Sequence, residues 1–397
     1  MKPYKVIRDP IHGNIGLSEL EVELIDTRQM QRLRNVKQNG LCYLVYPAMN
    51  STRFEHSLGV MHLGGVLAEN LELGEEDAKT VRCAGLLHDI GHGPFSHTTE
   101  FAWKKTGADH EYYSEKIVRS DEISKILREH GVKPKRVCQL IKGVGALGGV
   151  ISSPIDVDKM DYLIRDAYYA GVAYGITDVE RVLQSIRIFG DEISVDEDGL
   201  EAVESLLVNR NLMYQTVYRH HAKRIAEAMF RKALQKMVEE GFNPESLVEF
   251  DDVEMLSIMR GHGGFVSDMI RRLEARRLYK NVFRENLVGL DKDFKKEVSR
   301  NPDELEERIE VELGLDEGSV IVDYPEVQMS EFKVKILSNG KLKPIDDMST
   351  IAKNLEQSDM EKLCLNIYCE TGMLEKTGGF NPKRYVKYSQ THIDTFI

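Results

Sequence analysis

Several features that would place a chain quickly are missing here. The five cysteines, Cys42, Cys83, Cys138, Cys364 and Cys369, are scattered, odd in number and never spaced as CxxC. That pattern excludes a disulfide framework or a zinc ribbon and points to reduced thiols. No apolar run approaches the ~18 residues a membrane span needs, and Met1-Lys2-Pro3-Tyr4-Lys5 lacks the apolar core of a signal peptide. A cytoplasmic protein with no membrane partner is expected. Positive charge is in deficit: 53 Lys and Arg face 65 Asp and Glu, a formal net charge of −12. Such a surface repels nucleic acid, so a phosphate-binding role has to come from a local cationic cluster. There is no internal repeat, no low-complexity tract and no Gly-Lys-Ser/Thr. The glycine-rich stretch 143–154 therefore reads as a mobile loop rather than a phosphate loop.

What is present is a globular chain, 42% hydrophobic and 30% charged over 397 residues, enough for a large domain and a smaller one. Residues 4–17 alternate around Asp9-Pro10 and His12-Gly13 and read as a short strand or hairpin. Apolar residues then recur at helical spacing from Ser18 through the segments that follow, with Gly40–Pro47 a short apolar, partly β-branched interruption. Arg187–Val195, centred on Gly190-Asp191, is the clearest hairpin signal. Residues 200–240 and 252–284 read as helical, the latter very basic, and Lys292–Leu313 as a charged helix. Beyond these, 319–325, 332–337 and 363–368 read as strands with a helix near 348–357, and the polar tail from Gly372 as loosely held. The expected architecture is mainly α, with a helical core over 1–290, short β-hairpins, and a small α+β appendage over 291–397.

The centre of the sequence is Gly85-Leu86-Leu87-His88-Asp89-Ile90-Gly91-His92-Gly93-Pro94-Phe95-Ser96-His97. An apolar run delivers a His-Asp pair, and imidazole and carboxylate are both ligands for a divalent metal. Neighbours on a helix point about 100° apart, so the pair needs partners from elsewhere to close a shell. His56 and Asp158 are the candidates, because each stands at the end of an apolar helical pattern. Taken singly, each of the four would be a buried histidine or a helix cap; together they suggest a metal site with open positions. Arg53, His92, His97, His110, Lys159 and Arg210 add positive groups around it, as a polyphosphate would require. His97 lies close along the chain to the metal pair and is suited to proton transfer near neutrality. Tyr162, Asp166, Tyr214 and Tyr218 offer aromatic and hydrogen-bonding groups for a sugar, although an amphipathic helix with tyrosines at its polar border reads the same way.

The arrangement His56, His88-Asp89, Asp158 resembles the H…HD…D pattern of the HD-domain metal-dependent phosphohydrolases. Asp9-Pro10-Ile11-His12-Gly13, Gln31-Arg32-Leu33-Arg34, Arg53-Phe54-Glu55-His56-Ser57-Leu58-Gly59-Val60, His88 through His97, and Ile155 through Asp166 are similar to the dNTP triphosphohydrolase branch, over about residues 4–285. The resemblance implies hydrolysis of a dNTP to deoxynucleoside and inorganic triphosphate. It implies one divalent transition metal (Mn, Fe, Ni, Co or Zn) on His56, His88, Asp89 and Asp158, with Mg carried by the nucleotide. His97 would be catalytic, with His92 and His110 beside it; Arg53, Lys159 and Arg210 would meet phosphate; Gln38, Tyr162, Asp166, Tyr214 and Tyr218 would meet the rest of the substrate. Asp26, Gln31 and Arg34, with Val6, Arg276 and Lys280, match an allosteric site for GTP, dGTP or a dNTP, which implies a homo-oligomer, dimer or tetramer. Asn39 departs from the family leucine, and Tyr214 from a histidine. Two other readings stay open: an HD phosphohydrolase for nucleoside monophosphates, cyclic nucleotides or guanosine polyphosphates, and a catalytically silent nucleotide sensor. Nucleic acid is a minor candidate partner through the basic strip Arg271–Arg277.

Overall fold

The computed structural model describes residues 3–175, 177–325, 333–372 and 380–389. The chain forms two compact units that interleave along the sequence. One comprises Met1–Tyr218, Phe242–Ile258 and Met329–Lys353; the other comprises Arg219–Gly241, Met259–Gln328 and Asn354–Ile397.

The first unit is a helical assembly with two small sheets. Strands β1 (Lys5–Asp9) and β2 (Gly13–Leu17) pair antiparallel across the Asp9–Gly13 turn. The helix Arg53–Asn70 begins with a capping box: Thr52 accepts from the Glu55 amide while the Glu55 carboxylate accepts from the Thr52 amide. A neighbouring helix comes close to it through a glycine. A Cβ on Gly85, in the helix Glu75–Leu87, would stand 3.0 Å from the Met61 backbone, so only hydrogen there permits the crossing of the two helices. That crossing brings the His56 and His88 rings to 5.2 Å between centroids. The helix Val157–Ala170 starts on Asp156, which accepts from the Lys159 amide and sets Asp158 in the first turn. Strands β3 (Ile186–Phe189) and β4 (Glu192–Asp196) form the hairpin expected around Gly190-Asp191.

In the second unit, strand β5 (Lys280–Asn286) replaces the end of the long basic helix expected over 252–284. The helical part stops at Glu274, and the strand forms because Cys364–Cys369, far off in sequence, pairs with it antiparallel. Strand β6 (Val320–Asp323) flanks the same central strand from the other side. Phe283, Phe294, Ile309, Val320, Leu365 and Ile367 sit in a core that belongs to this unit. In the first unit, β7 (Lys335–Ser338) runs parallel to β4, and β8 (Lys341–Pro344) pairs with β7; β9 is the Cys364–Cys369 strand just described. The helix near 348–357 is Thr350–Glu361.

The helical fold class holds. Two local differences are instructive. Gly40–Leu44 is a 3₁₀ turn, and the helical stretch 200–240 is interrupted by a π-helical turn at Tyr214–Tyr218. The glycine-rich segment contains a one-turn helix at Gly145–Gly148. Most of the tail expected from Gly372 lies outside the described residues. Among the described residues no helix is long and apolar enough to cross a membrane.

Candidate metal centre and its neighbours

Among the described residues, His56, His88 and Asp158 bring one donor atom each to within 4.8 Å of one another. His56 is fully buried, and Nδ1 of its ring lies 2.8 Å from Oδ2 of Asp161. Nδ1 of His88 lies 2.8 Å from the Gly85 carbonyl, which can only accept, so His88 carries its proton on Nδ1. Both Nε2 atoms thereby turn toward Asp158, at 2.9 Å from His56 and 3.8 Å from His88. Neither Nε2 has a partner in hydrogen-bond geometry although both are buried. Two orphaned imidazole nitrogens converging on a carboxylate are a donor set that fits a divalent metal. Asp89 stands 3.4 Å from His88 Nε2 and 3.6 Å from His56 Nε2, with its Oδ2 also engaged by Arg53.

The electrostatics call for positive charge at this point. Burial lowers the His56 pKa, but Asp158 and Asp161 outweigh it and raise it to about 10. Burial pushes the Asp158 and Asp89 carboxyls up; the histidines in the first case and Arg53, His88 and His92 in the second hold them well below the usual carboxylate range. The same carboxylates that favour imidazolium favour a bound cation, so proton and metal compete for His56.

Behind His56 lies a buried network that the sequence reading did not single out. Asp161 also faces His12 Nε2 at 2.6 Å and accepts from Arg165 at 2.8 and 3.0 Å, and Arg165 reaches Asp9 at 2.9 Å. The signals were there: Asp161 and Arg165 are four apart on one helix, and Asp9 and His12 flank the first turn of the chain.

On the far side of Asp89 stands a second group. His92 Nε2 lies 3.2 Å from Asp89 Oδ1, its ring stacks on His110 at 4.0 Å, and His97 meets it edge-on at 4.8 Å. Glu100, missed in the sequence because it resembles an ordinary helix charge, binds His97 Nδ1 at 3.0 Å and His110 Nδ1 at 2.5 Å. Burial lowers the His92 pKa far enough, with Arg53 and His110 adding to it, to keep that ring neutral. Burial alone would raise the Glu100 pKa, but His97 and His110 hold it well down. The parallel stacking of His92 and His110 is poorly suited to shared ligation of one ion, since lone pairs lie in the ring planes; it suits a proton-handling cluster. His97 is the open member, with its side chain 65% exposed.

The turn that carries His97 is strained. Phe95 and Ser96 have φ of 56° and 55°, a region that costs an L residue of order 1–3 kcal/mol. Three anchors hold it: Asp252 accepts from the Phe95 amide at 2.6 Å, Arg53 Nε donates to Ser96 Oγ at 2.8 Å, and that hydroxyl donates to the Lys37 carbonyl at 2.7 Å.

The expected substrate residues gather in part. Tyr162 and Tyr214 each meet Tyr218 edge-on, at 6.3 and 5.0 Å, and the Arg210 guanidinium lies 4.5 Å over the Tyr214 ring. The tyrosines are therefore half-buried in a cluster, not spread along a polar border. Tyr218 donates to Asp166 Oδ2 at 2.7 Å, and Asn39, the departure from the family leucine, donates to Oδ1 at 2.8 Å. Burial raises the Asp166 pKa to about 6 against those two bonds. Gln38 Oε1 is buried without a partner. Lys159 is paired with Asp156 at 2.8 Å. Of the expected regulatory residues, Arg34 donates to Gln31 at 2.8 Å and lies 3.7 Å over the Phe54 ring, Asp26 and Val6 are exposed in the same unit, and Arg276 and Lys280 belong to the other unit.

Comparison with known proteins gives the family. Residues 53–165 match the HD domain and residues 177–391 the HD associated region. An uncharacterised protein of Methanocaldococcus jannaschii is 38% identical over 99% of this chain and 85% of its own length. A Dictyostelium discoideum homologue of the deoxynucleoside triphosphate triphosphohydrolase SAMHD1 is 30% identical, over 81% of this chain and 67% of that protein. A crystal structure of a phosphohydrolase from Bacteroides thetaiotaomicron superposes with a TM-score of 0.73 at 25% identity, covering 92% of this chain and 99% of the other. The chain belongs to the HD-domain phosphohydrolase family, in the branch that carries an HD-associated region.

Proposed function

We propose that this protein is a metal-dependent dNTP triphosphohydrolase that releases deoxynucleoside and inorganic triphosphate. The observation that carries the reading is the direct junction, through Asp89, of the His56–His88–Asp158 donor set with the Glu100-held His92–His97–His110 cluster. A divalent metal held by His56, His88, Asp158 and Asp89 would supply Lewis-acid polarisation of a phosphoryl oxygen. The chain's own groups do the rest. Arg53, Lys159 and Arg210 offset triphosphate charge, two of them resting on Asp89 and Asp156 before substrate arrives. Glu100 engages Nδ1 of His97 and leaves Nε2 to give a proton to the departing 5′-oxygen. Gln38 Oε1, buried and without a partner, and Asp166 accept from sugar hydroxyls, and the tyrosine cluster packs on the rest of the nucleoside.

The same proposal includes regulation: a guanine nucleotide or dNTP at Asp26, Gln31 and Arg34, with Val6, promotes a dimer or tetramer. Its support is the resemblance.

The test is product analysis. The purified protein is incubated with each dNTP and NTP and with Mn, Fe, Ni, Co, Zn or Mg, and products are separated by ion-exchange chromatography. Triphosphate from a dNTP is expected. Pyrophosphate or orthophosphate as the first product overturns the assignment in favour of another HD hydrolase. Unchanged turnover and sedimentation on adding GTP or dGTP overturns the regulatory part alone.

A further inference from the structure

The segment 250–252 is remote in sequence from every residue given a catalytic or binding role above, yet it fastens two parts of the site. Arg32 donates to the Phe250 carbonyl at 2.8 Å and to the Ile90 and His92 carbonyls at 3.1 and 2.7 Å. Asn35 donates to Asp251 at 2.9 Å. Asp252, 3% exposed, divides its carboxylate: Oδ1 accepts from the Phe95 amide at 2.6 Å and Oδ2 from the Lys37 amide at 3.0 Å. One of those amides belongs to the strained Phe95–Ser96 pair directly before His97, and the other adjoins Gln38.

A backbone forced to positive φ at two consecutive non-glycine residues reverts to ordinary conformations unless its surroundings over-determine it. Burial raises the Asp252 carboxyl pKa to about 6 against the Phe95 and Lys37 amide bonds, so it is ionised at neutral pH. An ionised aspartate offers acceptors on both oxygens and no donor, and a bond to it is stronger than a neutral one. Among the described residues, the hydrogen bonds that Asp252 accepts come from backbone amides and not from the donor set or the tyrosine cluster. We infer that Asp252 is a positioning residue for His97, holding the Phe95–Ser96 backbone in the conformation that aims the imidazole at the reacting phosphate. The inference rests on His97 acting as the proton donor.

The experiment is a double-mutant cycle with Asp252→Asn and His97→Ala, read by steady-state kinetics on the dNTP that is turned over and by metal content. The amide side chain has one acceptor and one donor, so one backbone amide loses its partner. Asp252→Asn should lower kcat by about 10- to 100-fold, the cost of misplacing a catalytic group by about an ångström, with KM within about two-fold and metal content unchanged. In the His97→Ala background it should cost less than about two-fold, because the group it aims is gone. An equal loss in both backgrounds overturns the positioning role, as does unchanged kcat in the single variant. Full turnover by His97→Ala alone overturns the proton-donor reading, and the role of Asp252 with it. Hydrogen exchange in the unaltered protein gives a check independent of variant folding. The peptide containing Phe95 should be protected at neutral pH, and free exchange there overturns the pin.

Discussion

Nδ1 of His56 and Oδ2 of Asp161 lie 2.8 Å apart, both fully buried, and this contact fixes which His56 nitrogen faces Asp158. Asp161 is itself held by Arg165 and His12, so the orientation of a candidate ligand is set by a buried network that reaches the donor set through His56. Partners of this kind tune metal affinity by about 10- to 100-fold. Asp161→Asn should reduce metal affinity in that range by isothermal titration, with the fold retained by circular dichroism. Asp161→Ala should also destabilise, by up to about 3–5 kcal/mol, because it removes two carboxylate bonds from the buried Arg165 and leaves it Asp9 alone. Wild-type affinity in a folded Asp161→Asn protein would sink this role.

Gly59 tests the same network sterically. A Cβ there would stand 1.8 Å from Asp161 Oδ1 and 2.7 Å from an Arg165 nitrogen. Gly59→Ala should therefore displace the carboxylate, costing about 1–3 kcal/mol in thermal stability and lowering metal content. Gly261→Ala, where nothing lies within 4 Å of the new methyl group, should be neutral or slightly stabilising. Equal behaviour of the two variants would count against the packing argument.

The division between what the sequence shows and what it conceals follows from this network. His56, His88 and Asp158 are legible because each stands at one end of a helical run, His88 after its last turn and His56 and Asp158 in the first turns of theirs, where an ordinary surface residue would be out of place. Asp161 and Arg165 look like a solvated i, i+4 pair, and only the approach of Gly59 and His56 reveals them as buried. Glu100 shows only an ordinary i, i+3 spacing to His97, and its other partner His110, like the backbone amides that Asp252 holds, comes from another element. The Gly190-Asp191 hairpin is visible because turn chemistry is local. The strand Lys280–Asn286 is not, because its pairing partner is Cys364–Cys369 and its charged residues mimic a basic helix.

Metal removal should expose the cost of two buried imidazole nitrogens without partners. A metal at a hundred times its dissociation constant stabilises the native state by about 2.7 kcal/mol. Chelation should therefore lower the melting temperature, and adding Mn should restore it. The effect has a pH sign. With no metal the His56 pKa is raised to about 10, so protons compete with the metal throughout the neutral range and more strongly as pH falls. The metal-dependent shift in melting temperature should be larger at pH 8 than at pH 6, and indifference to chelator at both would exclude the site.

His97→Ala separates proton transfer from metal binding. The ring is exposed and bonds Glu100, not the donor set, so its removal should leave metal content at the wild-type level. The rate should fall by about 10²- to 10⁴-fold, the usual worth of a general acid. Elemental analysis beside kinetics decides it: metal lost together with activity would make His97 a ligand, not an acid.

Asp166 should show a trade between stability and substrate binding. Its pKa is raised from 3.8 to about 6 by burial, so folding favours the protonated form. The sign follows: the stability associated with that proton is fully present below about pH 4 and is lost as pH rises through about 6, at most about 3 kcal/mol. Asp166→Asn removes the buried charge, and the amide can still accept from Asn39 while Tyr218 rotates its hydroxyl to accept from the new NH₂. The variant should thus melt higher than wild type at pH 7 and no higher at pH 4. Binding should move the other way. Wild-type KM should rise as pH falls below about 6, where the carboxylate stops accepting from a sugar hydroxyl, and the variant's KM should be high and flat across that range. A variant that melts lower at pH 7, or that keeps the acid-side rise in KM, would show that the titrating group is not Asp166.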